Sequence, residues 1–418
     1  MIQLPITPTV PDSEFVDREW ILKELYENAM LTKTRIPRSI VLIGLRRFGK
    51  TAILERLYNK IFMEQDEVVP IYINLDKIPY EEADFASKYF NTFLKQYIAF
   101  KRKDIKLVEG DISIREAKEF AQEDKDNALL DVIDTYQYQV KNSLDFLLTA
   151  IEAPRRVADR NDGSICVIID EFQNIMKVVS KNNRIMDLRG YYQWSVESRR
   201  CPYVVSGSAV SLIFREIISK GPLLGRFSPR YVEGLEEKYV IELCDKLGAL
   251  LNIEVPEELA VYLHQYTAGC PYYIKQFLQT SSSMLRESKE KELTREVLGN
   301  AITYELTAGQ VWHDLEEQIT SYFSLNEWGI VRTLLFLATK FEDTFDIAYL
   351  AREVNISETE VREILSRLAR ADLISDDFGV FRNVQDPVLL RFLEIQYRLE
   401  IEGFRAHKRE LMDKEYRK

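Results

Sequence analysis

The sequence predicts an α/β protein: a parallel-sheet core, then a helical segment, then three helices and a hairpin in the order of a winged helix-turn-helix. Three observations lead there. Short apolar runs bounded by breakers recur at Ser39 to Ile43, Pro70 to Leu75, Ile165 to Ile169 and Tyr203 to Ser206, separated by helical periodicity, as expected for strands buried on both faces. From Glu236 to about Leu306 the strand signals stop and helical periodicity takes over, broken only by "TAGCPYYI". Beyond it, helical patterns give way to two short strand-like runs around Gly379.

The first strand runs into "SIVLIGLRRFGKTAIL", where Gly44, Gly49, Lys50 and Thr51 fill the pattern G-x-x-x-x-G-K-[ST]. From average composition such a match arises by chance in a chain of this length roughly once or twice in a hundred. A strand, a glycine-containing turn and a helix in that order make a phosphate-binding loop. Its inward-pointing N–H groups, contributed by Leu45, Arg46, Arg47 and Phe48, and the helix N-terminus from Lys50 through Ala52 would cradle phosphates. Gly44 and Gly49 are expected to supply unusual backbone angles, Lys50 a charge for the β- and γ-phosphates, and Thr51 a hydroxyl ligand for Mg²⁺.

Such a loop requires a carboxylate at the end of a neighbouring strand, and "ICVIIDEFQN" supplies Asp170 and Glu171 there. Asp170 is expected to hold Mg²⁺ through water, and Glu171 to polarise the attacking water. The strand "PYVVSGSAVSL" ends in Ser206, Gly207 and Ser208, polar groups expected to reach the γ-phosphate region, with Ser208 in the catalytic set. A fifth strand is read at Tyr231 to Leu235. Just ahead of it stands Arg226, a candidate to neutralise transition-state charge from the same chain or a neighbouring one, with Arg230 in reserve.

Between Asp76 and Gly163 the pattern is mostly helical and includes the charged piece "FKRKDIKLVEGDISIREAKEFAQEDKDN", read as a solvated helical insertion on the edge of the domain. In the C-terminal part, "NEWGIVRTLLFLA", "FDIAYLAREVN" and "SETEVREILSRLARADLI" read as helices. Ser357 and Glu360 form a capping box, and Asp386 with Pro387 suits the start of a further helix.

Composition bounds the rest. The 418 residues exceed one ordinary core, and 46% hydrophobic with 29% charged residues is a globular balance. No apolar run approaches the roughly 18 residues of a membrane span, and "MIQLPITPTVPDSEF" lacks a signal-peptide layout, so a cytoplasmic protein is expected. Cys166, Cys201, Cys244 and Cys270 are far apart, and His264, His313 and His407 have no companion at ligand spacing; zinc sites and disulfide frameworks are not indicated. A net charge of -11 argues against a chain that coats nucleic acid over its whole surface.

The ordered set "FVDREWIL", "GLRRFGKT", "IIDEFQ", "SGS", "LLGRFSP", "GCPYYI" and a C-terminal winged helix resembles the archaeal-type ATPase family of the STAND group, relatives of the AAA+ and origin-recognition ATPases. The resemblance covers most of residues 14 to 395. It implies a P-loop NTPase core at 1 to 235, a helical lid at 236 to 310, a winged helix at 311 to 395 and a charged terminal helix at 396 to 418. The family's F-x-G-R-x-x-E-L element would place Phe15, Val16 and Arg18 at the adenine, and its G-x-P lid motif would bring Pro271 near the base. This chain has Asp17 where that element has glycine, and Ile21-Leu22 where it has Glu-Leu. It also lacks the lid arginine of many AAA+ enzymes, which suits a slow switch better than a continuous motor.

The function implied is an ATP-binding, Mg²⁺-dependent and slowly hydrolysing switch whose ATP or ADP state controls assembly with a protein partner or with itself, through lid and winged helix. The alternative is a DNA-associated ATPase resembling origin-recognition or transposition regulators. Charge weighs against it: Arg362, Arg367 and Arg370 are offset by Glu358, Glu360 and Glu363, and the wing is net acidic.

Overall fold

A computed structural model describes residues 3–207, 217, 221–320, 323, 327–341, 344–371, 373–377, 379–382 and 386–400. Ser208 and the terminal segment from 401 onward, both singled out by the sequence, lie outside the described residues. The chain divides into two compact units, one of Met1–Pro11, Arg18–Gly44 and Gly49–Val232, the other of Asp12–Asp17, Leu45–Phe48 and Glu233–Lys418.

The first unit contains α1 (Glu19–Met30), β1 (Ile40–Ile43), α2 (Lys50–Glu64), β2 (Val68–Asn74), α3 (Glu82–Arg102), α4 (Ile105–Glu109), α5 (Ile114–Glu123), α6 (Asn127–Asn142), α7 (Phe146–Arg160), β3 (Ser164–Asp170), α8 (Arg189–Val196), β4 (Tyr203–Gly207) and β5 (Ser228–Tyr231). Its sheet has the order β2-β3-β4-β1-β5, with every neighbouring pair parallel. The three inner strands are apolar and buried along their length, as helices on both faces require.

Two sequence expectations need correction. The fifth strand is Ser228–Tyr231 and shares only Tyr231 with the stretch predicted. Its sequence, "SPRY", alternates half-buried and exposed residues along a sheet edge, where Pro229 costs no ladder bond, so the apolar run that marks the inner strands is missing. The segment after Asp76 is also not wholly solvated. Helix α3 buries Phe85, Tyr89, Phe90, Phe93, Tyr97 and Phe100 and packs on β2 and α7, while much of the charged stretch through α4 and α5 is exposed.

Ahead of α1, residues 6 to 10 lie along α2. Asn59 accepts from the Ile6 N–H at 2.9 Å and donates to the Ile6 carbonyl at 2.8 Å. Glu55 accepts from the Thr9 N–H at 2.7 Å, and Arg56 donates to the Val10 carbonyl at 2.8 Å. Glu55, Arg56 and Asn59 are buried, so this strap satisfies polar groups that would otherwise be stranded inside.

The second unit is helical: α9 (Glu237–Leu251), α10 (Glu257–Thr267), α11 (Pro271–Ser288), α12 (Arg295–Thr307) and α13 (Gln310–Thr320), then α14 (Trp328–Ala338), α15 (Ile347–Val354), α16 (Glu358–Arg370), the hairpin β6 (Ser375–Asp377) with β7 (Val380–Arg382), and α17 (Pro387–Glu400). The capping box forms at α16, with the Ser357 hydroxyl accepting from the Glu360 N–H at 3.2 Å and the Glu360 carboxylate accepting from the Ser357 N–H at 2.9 Å. Asp386 caps α17 as expected, accepting from the N–H groups of Val388 at 2.9 Å and Leu389 at 3.2 Å. Thr344 bridges to Arg382 and adds a third short extended segment beside the hairpin.

Candidate nucleotide site

The loop from Gly44 to Thr51 links the C-terminal end of β1 to α2, which begins at Lys50. Gly49 caps α2 with φ of 92°, the left-handed region expected of it. Gly44 is needed for a different reason from the one expected. It has no positive φ; instead a Cβ there would stand 2.3 Å from the Val232 carbonyl oxygen, so the chain leaving β5 passes where a side chain would be. Arg47 takes a φ of 68° despite its side chain.

The Lys50 side chain is buried, and its ammonium donates to the Gly44 carbonyl at 2.8 Å, curling over the loop. Asp170 ends β3 and is buried. The Thr51 hydroxyl donates to its carboxylate at 2.8 Å, the Ser206 hydroxyl donates to its other oxygen, and Asn74 donates at 3.4 Å. Strand β4 lies between β1 and β3, so the carboxylate strand is one place further from the loop's strand than the sequence suggested. That intervening strand brings Ser206 against Asp170, which is a different task from the reach to a phosphate expected of it.

Burial pushes the Asp170 carboxyl above its ordinary range, opposed by the hydroxyls of Ser206 and Thr51 and by the Lys50 charge. Among the described residues no group of three or more His, Cys, Asp or Glu gathers to hold a metal ion. The hydroxyl of Thr51 and the carboxylate of Asp170 are hard oxygen donors in contact. Such a pair fits Mg²⁺ when phosphate and water oxygens complete its shell.

Glu171 follows with φ of 56°, a costly angle for a residue with a side chain, and this turn redirects the chain as it leaves β3. Its N–H lies 3.2 Å from Asp170 Oδ1 and 3.3 Å from Ser206 Oγ, and the Gln173 amide donates to its carboxylate. Asn74, opposite Asp170 on β2, was not picked out from the sequence; only its position at the end of an apolar run hinted at it.

Arg226 pairs with Glu197 of its own chain at 2.7 Å, and Arg230 with Glu24 at 2.6 Å. Phe227 packs on Phe172 with ring centroids 5.9 Å apart, which ties the segment bearing Arg226 to the turn bearing Glu171.

The segment expected at the adenine sits in the second unit up to Asp17, and Arg18 begins the next part of the first. Val16, Asp17 and Arg18 are buried and Phe15 is half-buried. Asp17, which stands where the family's element has glycine, has φ of 47°, in the left-handed region. Lys275, for which sequence offered no role, pairs with Glu14 at 2.6 Å, and Lys246 donates to the Phe15 carbonyl at 3.3 Å. Pro271 is the first residue of α11. Leu45, Arg46 and Arg47 are half-buried, while Phe48 and Ala52 are buried. All four cysteines are free and buried, and burial pushes the thiols of Cys166, Cys244 and Cys270 up to about 12, which keeps them protonated and unreactive.

A family model describing an ATPase domain predominantly from Archaea matches residues 15–277. The chain belongs to this archaeal ATPase family. Among solved structures, it is similar to the Walker-type ATPase PABY2304 of Pyrococcus abyssi, with a TM-score of 0.58 and 15% identity over 93% of this chain and 98% of that one. It is also similar to the Aeropyrum pernix ORC2 protein in its ADPNP-ADP complexes, with a TM-score of 0.53 and 15% identity over 95% of this chain and 98% of that one. No curated protein matches the chain in sequence. At such identity the likeness concerns the fold, and this archaeal-type ATPase has the α/β fold of P-loop NTPases, built on a five-stranded parallel sheet. No helix among the described residues is long and apolar enough to cross a membrane.

In the nucleotide-free protein Asp170 carries a cost. Its carboxyl is raised above the ordinary range, so its contribution to stability is present at low pH and is lost as pH rises through the raised value. Asp170→Asn removes the buried charge. In melts with chelator and without nucleotide, the variant is expected to gain on wild type as pH rises from the ordinary carboxylate range through the raised value, and the difference to level off above it. With Mg²⁺ and nucleotide added, wild type is expected to gain far more than the variant. A melting difference that is flat across pH would mean that folding does not raise the Asp170 carboxyl.

Proposed function

We propose that this protein binds ATP with Mg²⁺, hydrolyses it slowly, and works as a cytoplasmic switch of the STAND type, whose ATP or ADP state governs assembly with a protein partner or a second copy. The observation that supports it most is the contact of Thr51 with Asp170, 2.8 Å apart, beside the loop carrying Lys50. A hydroxyl at the helix start, a buried carboxylate on a separate strand and a lysine curled over the loop are the donors that an Mg²⁺-bound triphosphate uses. Lys50 would meet the β- and γ-phosphates, and the loop N–H groups would meet the rest of the chain of phosphates. Bound Mg²⁺ would offset negative charge on the phosphate oxygens. Glu171 would take a proton from the attacking water.

The ligands of the Aeropyrum pernix ORC2 complexes, ADPNP and ADP, favour an adenine nucleotide over another anion. Phe15, Val16 and Arg18 are proposed at the base, with Pro271 near it. Arg226 is proposed as the additional cation, which would have to leave Glu197 to serve a phosphate. Slow turnover follows from that engaged arginine and from the lack of a lid arginine in "GCPYYIKQF".

The elements from α14 to α17 are proposed as a winged helix used for docking rather than for reading DNA. Of the three cations on α16, Arg367 is already held by Glu327, and the hairpin carries Asp376 and Asp377 against Arg382. Measuring ATP turnover and duplex DNA binding on the same preparation tests both parts. Turnover on the order of 10⁻² s⁻¹ or slower is expected, the range of P-loop enzymes without an activating finger from a partner. Binding to duplex DNA no tighter than about 10⁻⁶ M at physiological salt is also expected. Tight, steeply salt-dependent DNA binding would select the DNA-associated alternative, and undetectable turnover with retained nucleotide would reduce the protein to a binding module.

A further inference from the structure

We propose that Arg47 carries the nucleotide state of the phosphate loop to the start of α17, through the Tyr273 hydroxyl and the Asp386 carboxylate. The proposal rests on the nucleotide reading of the loop. Arg47 stands in the middle of that loop, yet its side chain is held by residues far along the chain. Its guanidinium donates to Gln318 at 3.1 Å, to the Asp314 carbonyl at 3.2 Å and to the Tyr273 hydroxyl at 3.4 Å. It also lies 5.2 Å from the ring centroid of Tyr272 and 5.9 Å from that of Tyr273. The Arg47 carbonyl accepts from the Cys270 thiol at 3.6 Å, so both ends of this residue are gripped by the chain around the start of α11.

Tyr273 makes the next link. It is fully buried, and its hydroxyl has one proton to give; that proton goes to Asp386 Oδ2 at 2.6 Å, leaving the oxygen to accept from Arg47. The other Asp386 oxygen caps α17. One carboxylate therefore answers to the loop arginine on one side and to the first turn of a helix on the other. Burial pushes the Asp386 carboxyl up, and the Tyr273 hydroxyl, the two cap N–H groups and the Arg47 charge pull it back down.

A phosphate drawn into the loop would bond the N–H groups of residues 45 to 49, and so would bear on the backbone of Arg47, whose φ of 68° is in the left-handed region. A shift of that backbone changes what its guanidinium offers to Tyr273, and Tyr273 shares the Asp386 carboxylate with the cap of α17. A simple staple would look the same in a single state. What separates a relay from a staple is whether α17 responds to the nucleotide.

Hydrogen exchange of the full-length protein, with and without Mg²⁺ and the non-hydrolysable analogue ADPNP, tests this. In wild type the amides of residues 388 to 391 are expected to change their exchange by roughly tenfold on binding, an ordinary local-opening effect. Tyr273→Phe keeps the ring but loses the hydroxyl. It is expected to bind ADPNP within about threefold of wild type by calorimetry, with loop protection kept, while the α17 response falls below about twofold. Asp386→Asn, which still caps a helix, should lose the response in the same way and guards against a folding defect in the first variant.

The relay is overturned if α17 does not respond in wild type, or if it responds equally in both variants. A uniform rise in exchange across α10 to α12 with the nucleotide response intact would mean that Tyr273 only packs, and would overturn it too. Failure of wild type to bind ADPNP at all would sink the nucleotide reading itself, and the relay with it; the calorimetry tells that outcome from the others.

Discussion

Lys50→Ala is expected to weaken ATP binding at least 100-fold, about 2.7 kcal/mol, while the protein still folds. The lysine is buried, and its charged end donates to the Gly44 carbonyl at 2.8 Å. Losing that bond leaves a carbonyl at a half-buried position, a small penalty beside the loss of a cation that would face several phosphate charges. Calorimetry with Mg²⁺ and ATP reads the affinity, and a thermal melt without nucleotide reads the fold. An affinity within about threefold of wild type would mean that phosphates do not bind here, whatever the pattern of the loop.

Glu171→Gln is expected to leave ATP affinity nearly unchanged and to lower steady-state hydrolysis by about 10² or more. The substitution keeps the side chain's size and its place after the left-handed turn, and an amide can still meet Gln173. It removes the capacity to take a proton from water. The bonds to Asp170 and Ser206 come from the backbone N–H of this residue and survive the change, at 3.2 and 3.3 Å. Turnover equal to wild type would take Glu171 out of the catalytic role and leave Asp170 as the only carboxylate of the pair with a function.

The four inner and leading strands were legible because each is an apolar run between breakers, and the loop because its residue types are few and strictly spaced. The same was true of helix starts whose caps are local in sequence, as at Ser357 with Glu360 and at Asp386 with Pro387. What escaped was set by neighbours distant in sequence. β5 has the polar alternation of an edge and no apolar run. The role of Ser206 depends on the order of strands, which places β4 between the loop's strand and Asp170. Gly44 gave its identity but not its reason, because Val232 is the obstacle and lies almost two hundred residues away. For Arg47 only the backbone N–H was read, as part of the motif; the partners of its side chain, Tyr272, Tyr273, Asp314 and Gln318, lie far along the chain and left no local signal.

The strap of residues 6 to 10 bears on the order in which the protein is made. Its partners on α2 stand 46 to 53 positions later. During synthesis these residues leave the ribosome well before the helix that will hold them, and they contain no helix or strand of their own to hold them in shape. The helix faces the converse problem: Glu55, Arg56 and Asn59 emerge as polar groups on a surface due to be buried, and they stay wet until the earlier segment swings back. A stretch translated earlier therefore settles only after the phosphate-loop helix exists. Closing that long loop is an entropic charge on the folding of the nucleotide site, levied before the site can bind anything.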